Sequence, residues 1–246
     1  MGGYYPVMMN IEGRRCVVVG GGAVAERKTK GLLEAGADVL VVSPALTPGL
    51  EALGASGRIR LERRPFASGD LKDAALAFAA SDSPEANAAA AAEAVAAGIP
   101  VNRADHGDAG TFITPAVVRR GGLLVAVSAS GAGPGLASRL AKTIDEEYGG
   151  EWEAFTAWLG RVRAMVMSPE RGFGPELRRR LMRAALDVPE AAWSADRDEI
   201  DIDRRLNGLL AQLSGGTTDE SGAEAADDRG RHKTERAGAD PDGPGH

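Results

Sequence analysis

The apolar run Val17-Val18-Val19 passes straight into Gly20-Gly21-Gly22, and a helix-forming stretch, Ala23-Val24-Ala25-Glu26-Arg27-Lys28, begins at once. Glycines at such a junction let the backbone turn sharply and approach a ligand closely. The exposed N–H groups and the positive end of the helix dipole then meet an anion. Gly20, Gly22 and Ala25 take the positions of a G-x-G-x-x-G/A fingerprint, and the chemistry that this spacing serves is binding of a dinucleotide pyrophosphate.

A second group of candidate residues follows later strands. Asp105, in Asn102-Arg103-Ala104-Asp105-His106, stands where a strand-end carboxylate beside a nicotinamide ring removes a proton while a hydride leaves. The competing reading is a loop carboxylate that caps 107–110. His106 has no cluster of companion ligands, so a dedicated metal site is not expected. The glycine-rich turn Ser128-Ala129-Ser130-Gly131-Ala132-Gly133-Pro134 precedes a helix and offers backbone N–H groups to carboxylates. Arg119 and Arg120 lie close by in sequence and add positive charge, or form a solvated pair. Dinucleotide sites usually carry an acid at the end of the second strand to hold a ribose, but Ser43 stands there. Asp38 sits at the wrong end of that strand, and no arginine lies at 44–47 for a 2′-phosphate. NAD and NADP therefore stay open on these residues. Arg63 and Arg64 reach toward a nucleotide in one reading and form a solvated pair in the other.

The elements that must position these groups alternate regularly. Strands are expected at Arg15–Val19, Asp38–Val42, Ile59–Glu62, Leu76–Ala80 and Pro100–Asn102, and helices at Ala23–Ala35, Thr47–Leu53 and from Ser83 to Ala97. Continuous apolar strands alternating with helices give a parallel sheet covered on both faces, an α/β doubly wound, Rossmann-type domain. Beyond Thr111 a strand at Leu123–Ser128 and a helix at Gly135–Tyr148 are expected. Helices alone follow, at Glu151–Val166, Pro175–Leu186 and Arg197–Leu213. Trp152, Phe155, Trp158 and Leu159 share one helical face and read as packing. The expected organisation is a nucleotide-binding domain over 1–110, a small α+β segment over 111–150, a helical region over 151–213 and a disordered tail over 214–246.

The charge pattern agrees with that division. The net charge of −6 is concentrated in the tail, where eight acidic residues face four basic ones, so the remainder carries only −2. No nucleic-acid partner is expected of such a surface. The tail has too few large apolar residues to repay its ordering entropy. No apolar run is long enough to span a membrane, and the first residues lack the basic-then-apolar pattern of a signal peptide, so a cytoplasmic location is expected. Cys16, the single cysteine, reads as a buried apolar residue.

The order and spacing of several segments resemble a known family. They are Tyr5-Pro6-Val7 leading to Gly13, the GGGxVAxRK run ending at Lys28, Leu33-Glu34-Ala35-Gly36-Ala37, Ser81-Asp82-Ser83-Pro84-Glu85, Val101-Asn102-Arg103-Ala104-Asp105, Phe112-Ile113-Thr114-Pro115-Ala116 and Val125-Ala126-Val127-Ser128. Together they resemble the precorrin-2 dehydrogenase / sirohydrochlorin ferrochelatase family, the N-terminal module of sirohaem synthases. The resemblance implies NAD as cofactor and oxidation of precorrin-2, an octacarboxylate, by loss of a hydride to NAD⁺ and a proton to a base. Some members also insert Fe²⁺. It assigns catalysis to Asp105 and cofactor contacts to the glycine turn at Gly20 and Gly22, to Ala23 and Val24, and to Pro44 and Ala45. It makes Arg119, Arg120, Ser128, Ser130 and Gly131 candidates for the substrate carboxylates, and it implies a homodimer formed through 111–150. The family manages without the ribose acid that Ser43 replaces. This chain departs from the family where Ala129 and Gly133 replace hydroxyl residues in the later turn, and where Arg103 and His106-Gly107-Asp108 replace more usual apolar or acidic ones. These changes bear on substrate affinity and on metal insertion. The alternative function is a non-catalytic Rossmann protein that senses a nucleotide or binds a tetrapyrrole.

Overall fold

Val17 and Val19 point to one side of β1 (Arg15–Val19), Cys16 and Val18 to the other, and all four are buried. A strand covered on both faces lies at the centre of a sheet. β2 (Asp38–Val42) and β4 (Leu76–Ala79) flank β1, and β3 (Arg60–Glu62) and β5 (Val101–Arg103) lie outside them. All pairings are parallel, in the order β3-β2-β1-β4-β5. The carboxyl ends of all five strands therefore share one edge. The order reverses at β1, between β2 and β4, which makes that point of the edge the place for a ligand.

These coordinates are a computed structural model that describes residues 3–106, 109–130, 133–188 and 202–215. The chain divides into two compact units, Met1–Glu153 and Ala154–His246. In the first unit, α1 (Ala23–Glu34) and α2 (Pro48–Ala55) contribute Ala25, Leu32 and Leu50 to the core on the Cys16 and Val18 face. On the opposite face α3 (Pro84–Ala96) presents Asn87, Ala90, Ala91 and Ala94 at helical spacing. The alanines are small enough to let that helix lie close on the sheet. Ser83 caps α3 by accepting from Ala86 N at 3.1 Å, and Thr47 caps α2 by accepting from Leu50 N at 3.3 Å.

The two edges of the sheet end differently. Beyond β5, Thr111 runs alongside as a false strand. Its N–H donates to Val101 O at 2.8 Å and its Oγ1 accepts from Val101 N at 2.8 Å, while Asn102 Nδ2 donates to Phe112 O at 3.0 Å. On the far side β3 is only three residues long, with Arg60 and Glu62 exposed.

Residues 116–147 form a smaller layer. β6 (Ala116–Arg120) and β7 (Leu123–Val127) make an antiparallel hairpin with Ala116 opposite Val127 and Arg120 opposite Leu123. α4 (Pro134–Glu147) contacts both strands and buries Ala137 and Ala141. β6 goes beyond the sequence expectation. Only Val118 of its five residues is fully buried, and its two arginines read as a charge cluster.

In the second unit, α5 (Glu151–Met167) buries Phe155, Trp158, Val162 and Val166 at three- and four-residue spacing, and the Phe155 and Trp158 rings stack at 5.8 Å. α6 (Pro175–Leu186) buries Leu181 and Ala185 and contacts α7 (Ile202–Gly215). The helix expected over Arg197–Leu213 is described from Ile202. Its earlier residues, and the tail from 216 on, lie outside the described residues. Among the described residues no helix is long and apolar enough to cross a membrane.

Candidate functional site

The glycine turn divides into a buried part and an open part. Gly20 adopts φ +125°, and a Cβ there would lie 2.2 Å from Ala80 O; at Gly21 it would lie 1.9 Å from Ala45 O. Both glycines are buried, and both let the ends of β2 and β4 close around the end of β1. Gly22 is different. Its φ is −82°, it is exposed, and a Cβ would meet no heavy atom within 4 Å. Gly22 stands at the N-cap of α1 with no side chain capping it, so the helix presents its first backbone N–H groups outward beside exposed Ala23 and Val24. Ala25, the third member of the fingerprint, is fully buried against the sheet. The fingerprint thus shapes a turn with Gly20, opens a surface with Gly22 and packs a helix with Ala25.

The second wall of this cradle is the loop after β2. Thr47 N donates to Gly21 O at 3.0 Å, and Ser43 Oγ donates to Ala45 O at 2.7 Å, which leaves Pro44 and Ala45 exposed beside the glycines. Glu26 Oε2 accepts from Thr47 Oγ1 at 2.6 Å, and its carboxylate sits where a Cβ on Gly49 would fall, 2.2 Å away. These contacts bind the two loops into one rigid cradle. The Ser43 hydroxyl is spent on its own loop, and the residue that follows β2 supplies no carboxylate.

Asp105 lies beyond β5 on the same edge of the sheet, and Ala104 N donates to Ala79 O at 2.9 Å to fix its loop against β4. The carboxylate is gripped by its neighbour. Arg103 Nε donates to Oδ1 at 3.1 Å and Nη2 to Oδ2 at 2.7 Å, and His106 N donates to Oδ1 at 3.1 Å. This forked pair, first among the causes, and a hydrogen bond from Asn87 hold the Asp105 carboxyl far below the usual carboxylate range. Asp105 is therefore an ionised acceptor with little basicity of its own.

The remaining candidates separate. Arg63 forms a forked pair with Glu51, and Arg64 donates to Asp70 at 2.7 and 2.9 Å, so both arginines are bound to carboxylates of the β3 side. Asp38 pairs with Arg60 at 2.5 Å. The hairpin register separates Arg119 and Arg120 from the later turn. Arg120 lies opposite Leu123 at the Gly121-Gly122 end, whereas Ser128 follows β7 at the other end. Closeness in sequence across a hairpin turn puts Ser128 a whole strand away, about 17 Å over five residues. Arg120 spends its guanidinium on Tyr148 O at 2.9 Å, Asp145 O at 2.8 Å and the Asp145 carboxylate, where it closes the C-terminal end of α4. Arg119 faces Glu34 at 3.5 Å. Ser128 and Ser130 stand at the opposite, N-terminal end of α4. Ser130 has φ +49° and its N–H donates to Ser128 Oγ at 3.2 Å. Gly131 lies outside the described residues. Among the described residues no three His, Cys, Asp or Glu side chains gather as a metal site would require.

Comparison with known proteins agrees with this geometry. Residues 7–116 match a protein family described as putative NAD(P)-binding. The siroheme synthase of Methylobacillus flagellatus is 42% identical over 161 residues, 65% of this chain and 34% of the relative. That of Chromobacterium violaceum is 34% identical over 224 residues, 89% of this chain and 46% of the relative. The solved structure of SirC, precorrin-2 dehydrogenase, superposes with a TM-score of 0.65 at 25% identity and covers 86% of this chain and 100% of that one. The chain belongs to the precorrin-2 dehydrogenase and sirohaem synthase family. It spans between a third and a half of the length of these curated sirohaem synthases.

Two residues of this family member escape a reading by motif. Asn87 is 1% exposed; its Oδ1 accepts from Ser81 N at 2.9 Å and its Nδ2 donates to Ser81 O at 2.8 Å, besides its contact with Asp105. It joins the ends of β4 and β5. Its signal in the sequence is a lone amide among alanines, on the face that must be buried. Lys28 donates to Thr114 Oγ1 and lies 5.4 Å over the Phe78 ring, which meets Phe112 edge-on. Burial lowers the Lys28 pKa, with the Arg27 charge adding to the effect. Lys28 fastens the Phe112–Thr114 segment to α1 and the sheet.

Proposed function

We propose that the chain oxidises precorrin-2 to sirohydrochlorin with NAD⁺, the dehydrogenation step of sirohaem synthesis. The observation that carries this reading is the placement of an open glycine cradle and an ionised aspartate on one edge of a single parallel sheet. The residues fit the cofactor. Gly20 and Gly21 close positions that any side chain would fill, while Gly22, Ala23 and Val24 expose backbone N–H groups to a pyrophosphate. Pro44 and Ala45, exposed beside the glycines, would help to hold the cofactor. When bound, NAD⁺ supplies the hydride acceptor.

The substrate loses a hydride and a proton. Asp105, held as a carboxylate, accepts a hydrogen bond from a pyrrole N–H, orients the ring system and lies ready for the departing proton. Ser128, Ser130 and Gly131 before α4 are the candidates for one group of substrate carboxylates, and Arg119 and Arg120, at the other end of the hairpin, for another. The reading also includes a homodimer through residues 111–150, supported by a two-stranded sheet covered by one helix that leaves Val117, Leu136 and Leu140 exposed. It sets the reaction in the cytoplasm.

The test is to incubate the purified protein with precorrin-2 and either NAD⁺ or NADP⁺. Appearance of NADH absorbance with sirohydrochlorin is the expected result. Tight tetrapyrrole binding without turnover on either nucleotide overturns the proposal in favour of a binding protein.

A further inference from the structure

We propose that Arg103 is a positioning residue that holds Asp105 in a closed pair until a carboxylate of the substrate takes over its guanidinium, so that docking itself frees Asp105 to face the substrate. The inference rests on the role given above to Asp105.

The geometry is that of a latch. Arg103 and Asp105 stand two residues apart at the end of β5, and the guanidinium meets both carboxylate oxygens through Nε and Nη2. Their side chains are 15% and 22% exposed, so the pair is partly shielded from water but still reaches the open edge of the sheet. Among the described residues, Arg103 and His106 of its own loop face Asp105, with His106 Nδ1 3.5 Å from Oδ2, and the neutral amide of Asn87 reaches it from α3. The forked arginine is thus the dominant charge on the carboxylate, and it depresses its basicity. Such a carboxylate is a poor proton acceptor while the pair stays closed. An arginine fork binds any carboxylate with the same planar geometry, so a polycarboxylate substrate can replace Asp105 with little net loss of hydrogen bonding. The exchange forms and breaks no covalent bond. It moves the guanidinium from Asp105 to the incoming carboxylate and leaves Asp105 facing the substrate.

The arginine at position 103, two residues before the aspartate, then acquires a purpose. The base is kept weak in the free enzyme and strengthened only under a bound polyacid.

The test is a titration of Asp105 by ¹³C NMR on protein labelled at aspartate Cγ, with the resonance assigned by its loss in Asp105→Asn. The midpoint in the free wild-type protein should lie below the ordinary aspartate range. Arg103→Val should raise it by about 1–3 pH units, the scale of an arginine–aspartate contact, and Arg103→Lys by less. Saturating sirohydrochlorin, the octacarboxylate product, should raise the wild-type midpoint by clearly more than that of Arg103→Val, where only repulsion by the bound carboxylates acts. Equal midpoints in the free wild-type, Arg103→Val and Arg103→Lys proteins overturn the latch. Binding of sirohydrochlorin with an unmoved wild-type midpoint overturns the exchange alone. Failure of sirohydrochlorin to bind overturns both the exchange and the functional reading. The titration of the free protein needs no turnover, so the latch is read separately from the precorrin-2 assay.

Discussion

Replacing Gly20 by alanine tests whether the cradle is built by close backbone approach. The new methyl would lie 2.2 Å from Ala80 O, 2.5 Å from Ala80 C and 2.7 Å from Ser81 N. None of these is the end of a flexible side chain. Ala80 N donates to Val19 O at 2.7 Å and Gly20 N to Val42 O at 2.9 Å, so relief by movement breaks the sheet ladder on one side or the other. Overpacking of this kind costs about 1–3 kcal/mol. The positive φ of +125°, unsuited to a side chain, adds about 1–3 kcal/mol. A total near 4 kcal/mol lowers the melting temperature by roughly 8–16 °C for a domain of this size. Gly22→Ala is the control, because a methyl there meets nothing within 4 Å and the backbone already suits alanine. It should melt within about 2 °C of wild type, since a change free of contacts stays near ±0.5 kcal/mol. It should also weaken NAD⁺ at least about tenfold, a loss near 1.4 kcal/mol, by filling the open face. Thermal melts by circular dichroism and NAD⁺ titration by calorimetry measure both. A Gly20→Ala protein that melts with wild type refutes the close-approach reasoning, and a Gly22→Ala protein that binds NAD⁺ normally refutes the assignment of the open face.

Asn87→Ala leaves the Ser81 N–H and carbonyl unpaired in a buried place and should cost about 1–3 kcal/mol by urea denaturation, with an accompanying rise in the Asp105 titration midpoint. Arg120→Met removes the hydrogen bonds to Tyr148 O and Asp145 O. It should lower stability by about 1–2 kcal/mol, and unchanged tetrapyrrole affinity would remove Arg120 from the substrate candidates. Hydrogen bonding by Arg64 holds the Asp70 carboxyl below its ordinary value. Its contribution is therefore complete above the unfolded value near 3.9 and fades as pH falls through the lower folded value. The stability gap between wild type and Asp70→Asn should accordingly be about 1 kcal/mol at neutral pH and close in acid, as denaturant melts across pH would show. Burial pushes the Cys16 thiol up to about 11. Alkylation at pH 8 should then proceed only on unfolding, and fast labelling of the native protein would contradict the packing of β1.

The parallel sheet was legible because its strands are apolar throughout and are punctuated by capped helices; Thr47 and Ser83 mark two starts to the residue. The cradle was legible because glycine at a strand-to-helix junction has few other uses. β6 escaped because a half-exposed five-residue strand ending in two arginines has little periodicity to detect. The separation of the arginines from the later turn was hidden for a related reason. Distance along a chain says nothing of distance in space once a hairpin folds it back, and Arg120 found partners in α4 and just beyond its end that lie 25 and 28 residues on. The grip of Arg103 on Asp105 was open to a reading of spacing, since alternate residues at a strand end can face the same way. It passed unnoticed because position 103 stood out only as an exception to the family pattern.

Both edges of the five-stranded sheet are closed to further strands. Thr111 occupies the hydrogen-bonding groups of Val101, and the opposite edge is a three-residue strand bearing Arg60 and Glu62. Short charged edges and covered edges resist edge-to-edge polymerisation. The large sheet is thereby protected from fibril-like growth at high concentration.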